Sequence, residues 1–212
     1  PVDGLSAHQR LVTALRRADA RNRFLRRNFV DIRIRSEEMR QERLRLEQDV
    51  EYDALTGLLS CRNFSDRLAR LATSHSCFAL LFLDVDKLKA LNDRMGHVAG
   101  DMLLRSFAND LADALPKGGL AFRKSGDEFL VVLPDAQREE AERYLQDLFG
   151  RLRVERRIGA EGMVLSGSAG VVLWPSDISA VAQLEWYADQ AMYRAKASGR
   201  NRWAWHTEMV QG

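Results

Sequence analysis

The 212-residue sequence predicts an α+β fold: a central sheet flanked by helices, close to the ferredoxin-like or polymerase-palm arrangement, preceded by one long N-terminal helix. Three observations predict it. A heptad pattern fills the first fifty residues, and the apolar run Cys77–Leu83 has the length of a buried strand. A hairpin pattern centred on Ser125-Gly-Asp-Glu128 then interrupts an otherwise alternating order of strands and helices. The β-α-β-β unit that results is the recurring element of ferredoxin-like sheets.

The heptad seam steps alternately by four and three residues through Leu11, Leu15, Ala18, Asn22, Leu25, Phe29, Ile32, Ser36, Met39, Arg43, Leu46 and Val50. Nine of these twelve positions are apolar and neither Gly nor Pro interrupts them, so residues 8–50 read as one helix whose seam winds around a partner. At 1.5 Å per residue such a helix is about 65 Å long, too long to fold back on one small domain. The expected partner is the same helix of a second chain, in a parallel homodimer. An amphipathic helix packed on its own domain is the alternative. Asn22, Ser36 and Arg43 either set the register, allow it to change, or reach out of the seam to solvent. The abrupt start at Pro1 gives the expectation of an upstream sensory domain.

Asp53-Ala-Leu-Thr-Gly-Leu58 ends the heptads with a glycine. Residues 1–52 are therefore expected to form a coiled-coil signalling and dimerisation helix, and residues 53–212 a domain with its own core. Hydrophobic periodicity and turn residues place its elements in order: a helix at 61–72, a buried strand at 77–83, a helix at 98–115, hairpin arms near 120–124 and 129–133, a helix at 136–152, a strand at 163–173 and a helix at 180–197.

Composition excludes several classes. With 46% apolar and 29% charged residues, 14 Gly and 4 Pro, the chain is neither disordered nor fibrous. Its longest apolar run is far short of the roughly 20 residues that cross a bilayer, and no signal-peptide pattern opens the chain, so no membrane span is expected in this segment. Cys61 and Cys77 alone make neither a disulfide framework nor a four-ligand zinc site, which points to a reducing cytoplasm. Residues 1–50 carry 12 Arg against 8 acidic residues, but Glu37, Glu38, Glu42 and Glu47 are interleaved with Arg35, Arg40, Arg43 and Arg45. A nucleic-acid-binding face would keep acids out, so no nucleic-acid partner is expected.

Two acidic clusters stand where the layout matters. The strand Cys77–Leu83 runs into Asp84-Val-Asp86, and Ser125-Gly-Asp-Glu128 lies at the hairpin turn. If the hairpin pairs beside that strand, Asp84 and Asp127 meet at the sheet's edge. Gathered carboxylates need a cation, and hard oxygen donors select Mg²⁺ or Mn²⁺, the ions of phosphoryl and nucleotidyl transfer. The alternative is that these acids are simply solvated beside turns.

Five motifs in order then resemble the GGDEF-domain diguanylate cyclases, which join two GTP into cyclic di-GMP: Asp53-x-Leu-Thr-Gly-Leu58, Asp84-Val-Asp-Lys-Leu-Lys-x-x-Asn-Asp93, Gly96-His-x-x-Gly-Asp101, Ser125-Gly-Asp-Glu-Phe129 and Tyr193-Arg-Ala-Lys-x-x-Gly-Arg-Asn201. The resemblance covers residues 53–203. It implies a bacterial, cytoplasmic signalling enzyme whose metals, Mg²⁺ or Mn²⁺ and two per active site, are held by the Asp84 side chain, the Val85 carbonyl and the Asp127 carboxylate. It implies guanine binding by Asn92 and Asp101; a carboxylate accepting from guanine N1–H and its exocyclic amine would select GTP over ATP. An N-cap for the following helix is a second role open to Asp101. Phosphates are matched to Lys89, Lys196, Arg200 and the backbone N–H groups of Lys87 and Leu88. On spacing alone Lys196 and Arg200 would merely complement a helix dipole. Glu128 or Asp127 is the base implied for the attacking hydroxyl, and the residues do not choose between them; His97 reads as structural.

The departures from the family pattern also carry expectations. Ser125 replaces the first signature glycine, where a turn requiring positive φ would be weakened by about 1–2 kcal/mol. Ser60-Cys61 replaces the family's Asn-Arg. Pro116-Lys-Gly-Gly119 stands where the family's inhibitory Arg-x-x-Asp would be, so no inhibitory site is expected. The sequence thus supports a diguanylate cyclase regulated through its N-terminal coiled coil, with a degenerate GTP-binding or scaffold domain as the alternative.

Overall fold

The computed structural model describes residues 51–159 and 161–209, together with Val12, Arg33, Met39 and Arg40, which are helical. Apart from those four, the coiled coil expected over 8–50 lies outside the described residues. The chain divides into two compact units, Pro1–Gln48 and Asp49–Gly212, and the second contains every element named below.

The sheet is built on β2 (Phe78–Val85), every residue of which is buried. That is the signature of a strand covered on both faces. Hairpin partners β3 (Leu120–Ser125) and β4 (Glu128–Pro134) lie on one side of it, β7 (Gly167–Trp174) on the other, in the order β1-β3-β4-β2-β7-β8. β1 (Leu59–Ser60) and β8 (Arg202–Trp205) are short parallel edges, whereas β2 is antiparallel to both neighbours. A separate small hairpin pairs β5 (Arg156–Ile158) with β6 (Glu161–Met163).

Alternation along β2 divides the core in two. Phe78, Leu80 and Phe82 pack with Phe64 and Leu68 of α1 (Phe64–Ser74) and Leu184 and Ala188 of α5 (Leu184–Ala197). Ala79, Leu81 and Leu83 pack with Phe107 and Leu111 of α3 (His97–Ala114) and Leu145 and Leu148 of α4 (Arg138–Leu152). Gly170 lets α5 lie directly on β7, since a Cβ there would come within 2.0 Å of the Ala188 carbonyl oxygen.

Several expectations are corrected. The chain inserts an unforeseen helix, α2 (Leu88–Met95), between β2 and α3. Its eight residues bury only Leu88 and Leu91, too few to register as a period. The helix expected at 61–72 begins at Phe64 because Asn63 is left-handed (φ 60°). The strand expected at 163–173 is broken: Met163 closes the small hairpin, Val164 is exposed, and the central sheet resumes at Gly167. Finally, β2 is an inner strand, so its acidic terminus lies at the sheet's end and not at its edge.

Candidate active site

Asp84 ends the apolar part of β2, paired in register with Glu128 on one side and Ser168 on the other. The β3–β4 turn is drawn against it, because the Val85 N–H donates to the Asp127 carbonyl at 3.0 Å. Arg123 braces the same turn. Its guanidinium donates to the Gly126 carbonyl at 2.8 Å and to Asp53 Oδ1 at 3.0 Å, and Asp53 in turn accepts from the Thr56 N–H at 2.9 Å and hydroxyl at 2.7 Å. The Asp53-x-Leu-Thr-Gly-Leu58 motif therefore supports the acidic turn from below, a link that its sequence position does not reveal.

Asp84 is 6% exposed, and burial pushes its carboxyl up to about 6, against the pull of Lys196 and with the help of the Asp127 and Asp86 charges. Lys196 Nζ lies 2.6 Å from Asp84 Oδ2. Lys196 thus does more than complement the α5 dipole: it pairs with the Asp84 carboxylate. Among the described residues no three His, Cys, Asp or Glu side chains are placed to hold a metal. Two neighbouring carboxylates still fit a hard dication, because Asp127 presses charge onto a buried Asp84 and further oxygens are available from the backbone and from a nucleotide.

Ser125 departs from expectation. Its φ is not positive; Gly126 carries the left-handed turn (φ 49°), so the strain anticipated for Ser125 is absent. Instead its hydroxyl donates to Glu128 Oε2 at 2.9 Å.

Where β2 meets α2, Lys87 is left-handed (φ 62°, ψ 21°) and caps the helix without a side-chain hydrogen bond. The first N–H groups of α2 consequently face outward at the positive end of the helix dipole, with exposed Lys89 in its first turn. One turn further along α2 stands Asn92, whose Oδ1 is buried without a hydrogen-bond partner. Gly100 makes room for it, since a Cβ there would lie 1.9 Å from that oxygen. Asp101 follows, half-buried in the second turn of α3. The N-cap alternative for Asp101 falls, because α3 begins at His97 and Gly96 occupies the cap. The orphan Asn92 oxygen packs against Gly100, the residue before Asp101, so an amide oxygen and a carboxylate, both acceptors, lie on neighbouring stretches of α2 and α3.

Past α5 the chain turns through Gly199, Arg200 (φ 62°) and Asn201 (φ 50°) into β8, leaving the Arg200 side chain exposed. The Asn201 N–H donates to Asp86 Oδ2 at 3.0 Å. The structure therefore gathers Asp84, Asp127, Glu128 and Lys196 at the end of the central strand, and packs Asn92 against Gly100, next in sequence to Asp101. Sequence reading missed Asp86, Arg123 and the Ser125–Glu128 bond.

A model of the family described as diguanylate cyclase, GGDEF domain, matches residues 50–202. The chain is 35% identical over 182 residues to the cyclic di-GMP phosphodiesterase PdeR of Escherichia coli, covering 84% of this chain and 27% of that protein. It is 34% identical over 169 residues to the diguanylate cyclase TpbB of Pseudomonas aeruginosa, covering 76% of this chain and 39% of that protein. The chain thus spans well under half the length of either relative. Among solved structures, the coiled coil and GGDEF domain of DgcB from Caulobacter crescentus in complex with c-di-GMP superposes with a TM-score of 0.76 at 25% identity, covering 85% of this chain and 98% of that one. Sequence, sheet order and the acidic turn beside the central strand agree: this chain belongs to the GGDEF domain family.

Proposed function

We propose that the chain is a diguanylate cyclase, condensing two GTP into cyclic di-GMP and two pyrophosphate. The observation that carries this reading is the meeting of Asp84 with the Asp127 turn beside Lys196, with an unpartnered Asn92 oxygen on the helix that follows the strand. Asn92 and Asp101 hold guanine through its N–H edge. The α2 N-terminus at Lys87 and Leu88, with Lys89, Lys196 and Arg200, orients the triphosphate. Asp84, the Val85 carbonyl and Asp127 would hold Mg²⁺ or Mn²⁺, two ions per site. When bound, such ions lower the pKa of the 3′-hydroxyl and neutralise charge on the phosphates.

The 3′-oxygen of one GTP then forms a bond to the α-phosphorus of the other as the bond to the β-phosphate bridge breaks and pyrophosphate leaves. Glu128 or Asp127 takes the hydroxyl proton. A second such transfer closes the ring. Each domain supplies one nucleotide, so two domains must face each other around a two-fold axis, and a coiled coil over residues 8–50 would bring them together. A sensory domain upstream and a bacterial cytoplasmic setting complete this reading.

The concentration dependence of turnover tests it. Full chain and a chain lacking residues 1–50 are assayed with GTP and Mg²⁺ from nanomolar to micromolar protein. The truncated chain should lose specific activity on dilution while remaining folded. Equal specific activity throughout would remove the helix from the mechanism, and GTP binding without product would assign the domain to the non-catalytic, nucleotide-binding role.

A further inference from the structure

Asp86, the second carboxylate of Asp84-Val-Asp86, has no part in the chemistry above. It is 6% exposed, and its two oxygens are committed to separate donors: Oδ1 to the Ser168 hydroxyl at 2.8 Å, Oδ2 to the Asn201 N–H at 3.0 Å. Those donors come from elements 82 and 115 residues away. Ser168 is wholly buried on β7, in register with Asp84 on one side and Arg202 of β8 on the other. Asn201 is the second of two consecutive left-handed residues, a conformation that L-residues hold only where the surroundings fix it.

This arrangement joins two parts of the site that the sequence keeps far apart. The limb Lys196–Asn201 leaves α5 carrying Lys196 against Asp84 and Arg200 just beyond. Its near end is fixed by helical packing, and the Arg200 N–H returns to the Ala195 carbonyl at 3.1 Å. Its far end is fixed by Asp86. Without Asp86, a backbone N–H and a buried hydroxyl would each lose the acceptor the structure gives them.

We propose that Asp86 is a positioning residue: braced by Ser168, its carboxylate holds the left-handed Arg200–Asn201 turn and so sets the Arg200 side chain's direction beyond the Lys196–Asp84 pair. The consequence for phosphate binding rests on the GTP site proposed above; the anchoring of the turn does not.

Two measurements on the full chain separate these parts. In nucleotide-free protein, Asp86→Ala should accelerate amide exchange at Asn201 and across 196–202 by about tenfold or more, with α3 and α4 unchanged. Asp86→Asn should stay within about threefold of wild type, because the amide oxygen still accepts from Asn201 while the Ser168 hydroxyl turns to accept from the amide. Calorimetric titration with a GTP analogue bearing methylene in place of the α,β-bridging oxygen, in Mg²⁺, then reads coupling. Arg200→Ala should weaken binding about tenfold in the wild-type background and about twofold or less beside Asp86→Ala. If Asp86→Ala does not fold, Ser168→Ala takes its place, with partial loss of protection and partial loss of coupling expected.

Unchanged exchange at 196–202 in a folded Asp86→Ala or Ser168→Ala protein would overturn the proposal, as would fully additive binding losses. Loss of Mg²⁺ affinity in Asp86→Asn with the turn still protected would make Asp86 a metal ligand and overturn it equally. Failure of the wild-type chain to bind the analogue would refute the GTP site, while exchange would still decide the anchoring.

Discussion

Lys196 Nζ lies 2.6 Å from Asp84 Oδ2, tying the last turn of α5 to the end of the central strand. An ammonium thereby offsets a buried carboxylate where a nucleotide-bound dication would otherwise be its counter-ion. Lys196→Met should lower stability without Mg²⁺ by about 1–3 kcal/mol, since it leaves Asp84 without its cation. Added Mg²⁺ should raise the melting temperature of Lys196→Met more than that of wild type, because the ion no longer competes with the ammonium. Thermal melts with and without Mg²⁺ check this, and equal shifts would separate Lys196 from the metal site.

Base selectivity should reside in Asp101. On the proposed function its carboxylate joins the orphan Asn92 oxygen as an acceptor for the base, and adenine cannot satisfy both as guanine does. Asp101→Ala should reduce the preference for GTP over ATP by about tenfold to a hundredfold, the cost of leaving a buried acceptor unpaired with the wrong base. Competition binding with the two nucleotides measures it.

The parts of the fold visible in the sequence are those where one local pattern decides the structure. The apolar run Cys77–Leu83 reads as a buried strand, found at Phe78–Val85, and a glycine-bearing turn between two apolar arms reads as the hairpin that is found. Asp84 and Asp127 were legible for the same reason, as acids at the ends of those segments. α2 was not, because its start depends on the left-handed Lys87 and its packing on only two leucines. β8, four residues long, exists through pairing with β7 more than through any pattern of its own. Asp86 read as one more acid until the fold brought Asn201 to it across 115 positions. Ser125 shows the converse: a rule about glycine was applied to the wrong residue of the turn, and the positive φ falls on Gly126.

The Ser125 hydroxyl donates to one oxygen of Glu128, a bond that glycine at this position could not make. Ser125→Ala should lower kcat about twofold to tenfold with KM for GTP little changed, because one hydrogen bond to a charged group is lost at a residue that binds no part of the nucleotide. Ser125→Gly should do the same at a stability cost below about 1 kcal/mol. Steady-state kinetics of both variants check this; a KM effect alone would show that the hydroxyl contacts nucleotide.

Product feedback should be weak. Pro116–Gly119 forms a tight turn, with the Gly119 N–H donating to the Pro116 carbonyl at 2.9 Å, and offers no guanidinium to clamp a phosphate. Arg143, which lines a cavity with Pro116 and Lys117, pairs with Glu140; elsewhere Arg123 holds Asp53 and Gly126, and Arg156 donates to Asp110 at 2.6 Å, Ser106 at 3.0 Å and the Arg151 carbonyl at 2.6 Å. Progress curves with pyrophosphatase present should stay linear as micromolar cyclic di-GMP accumulates, with at most mild competitive inhibition. Noncompetitive inhibition at low micromolar product would mean that an inhibitory site exists.

The central claim is that this domain makes cyclic di-GMP at the Asp84–Asp127 site. The direct test is chromatography of the products formed from α-phosphate-labelled GTP and Mg²⁺ by the wild-type chain and by Asp127→Asn, alongside GTP affinity for both. The wild-type chain should convert label into a species that co-migrates with cyclic di-GMP, and Asp127→Asn should form none while its GTP affinity falls far less than its rate. Unconverted GTP with the wild-type chain, or near-normal turnover by Asp127→Asn, would contradict the account.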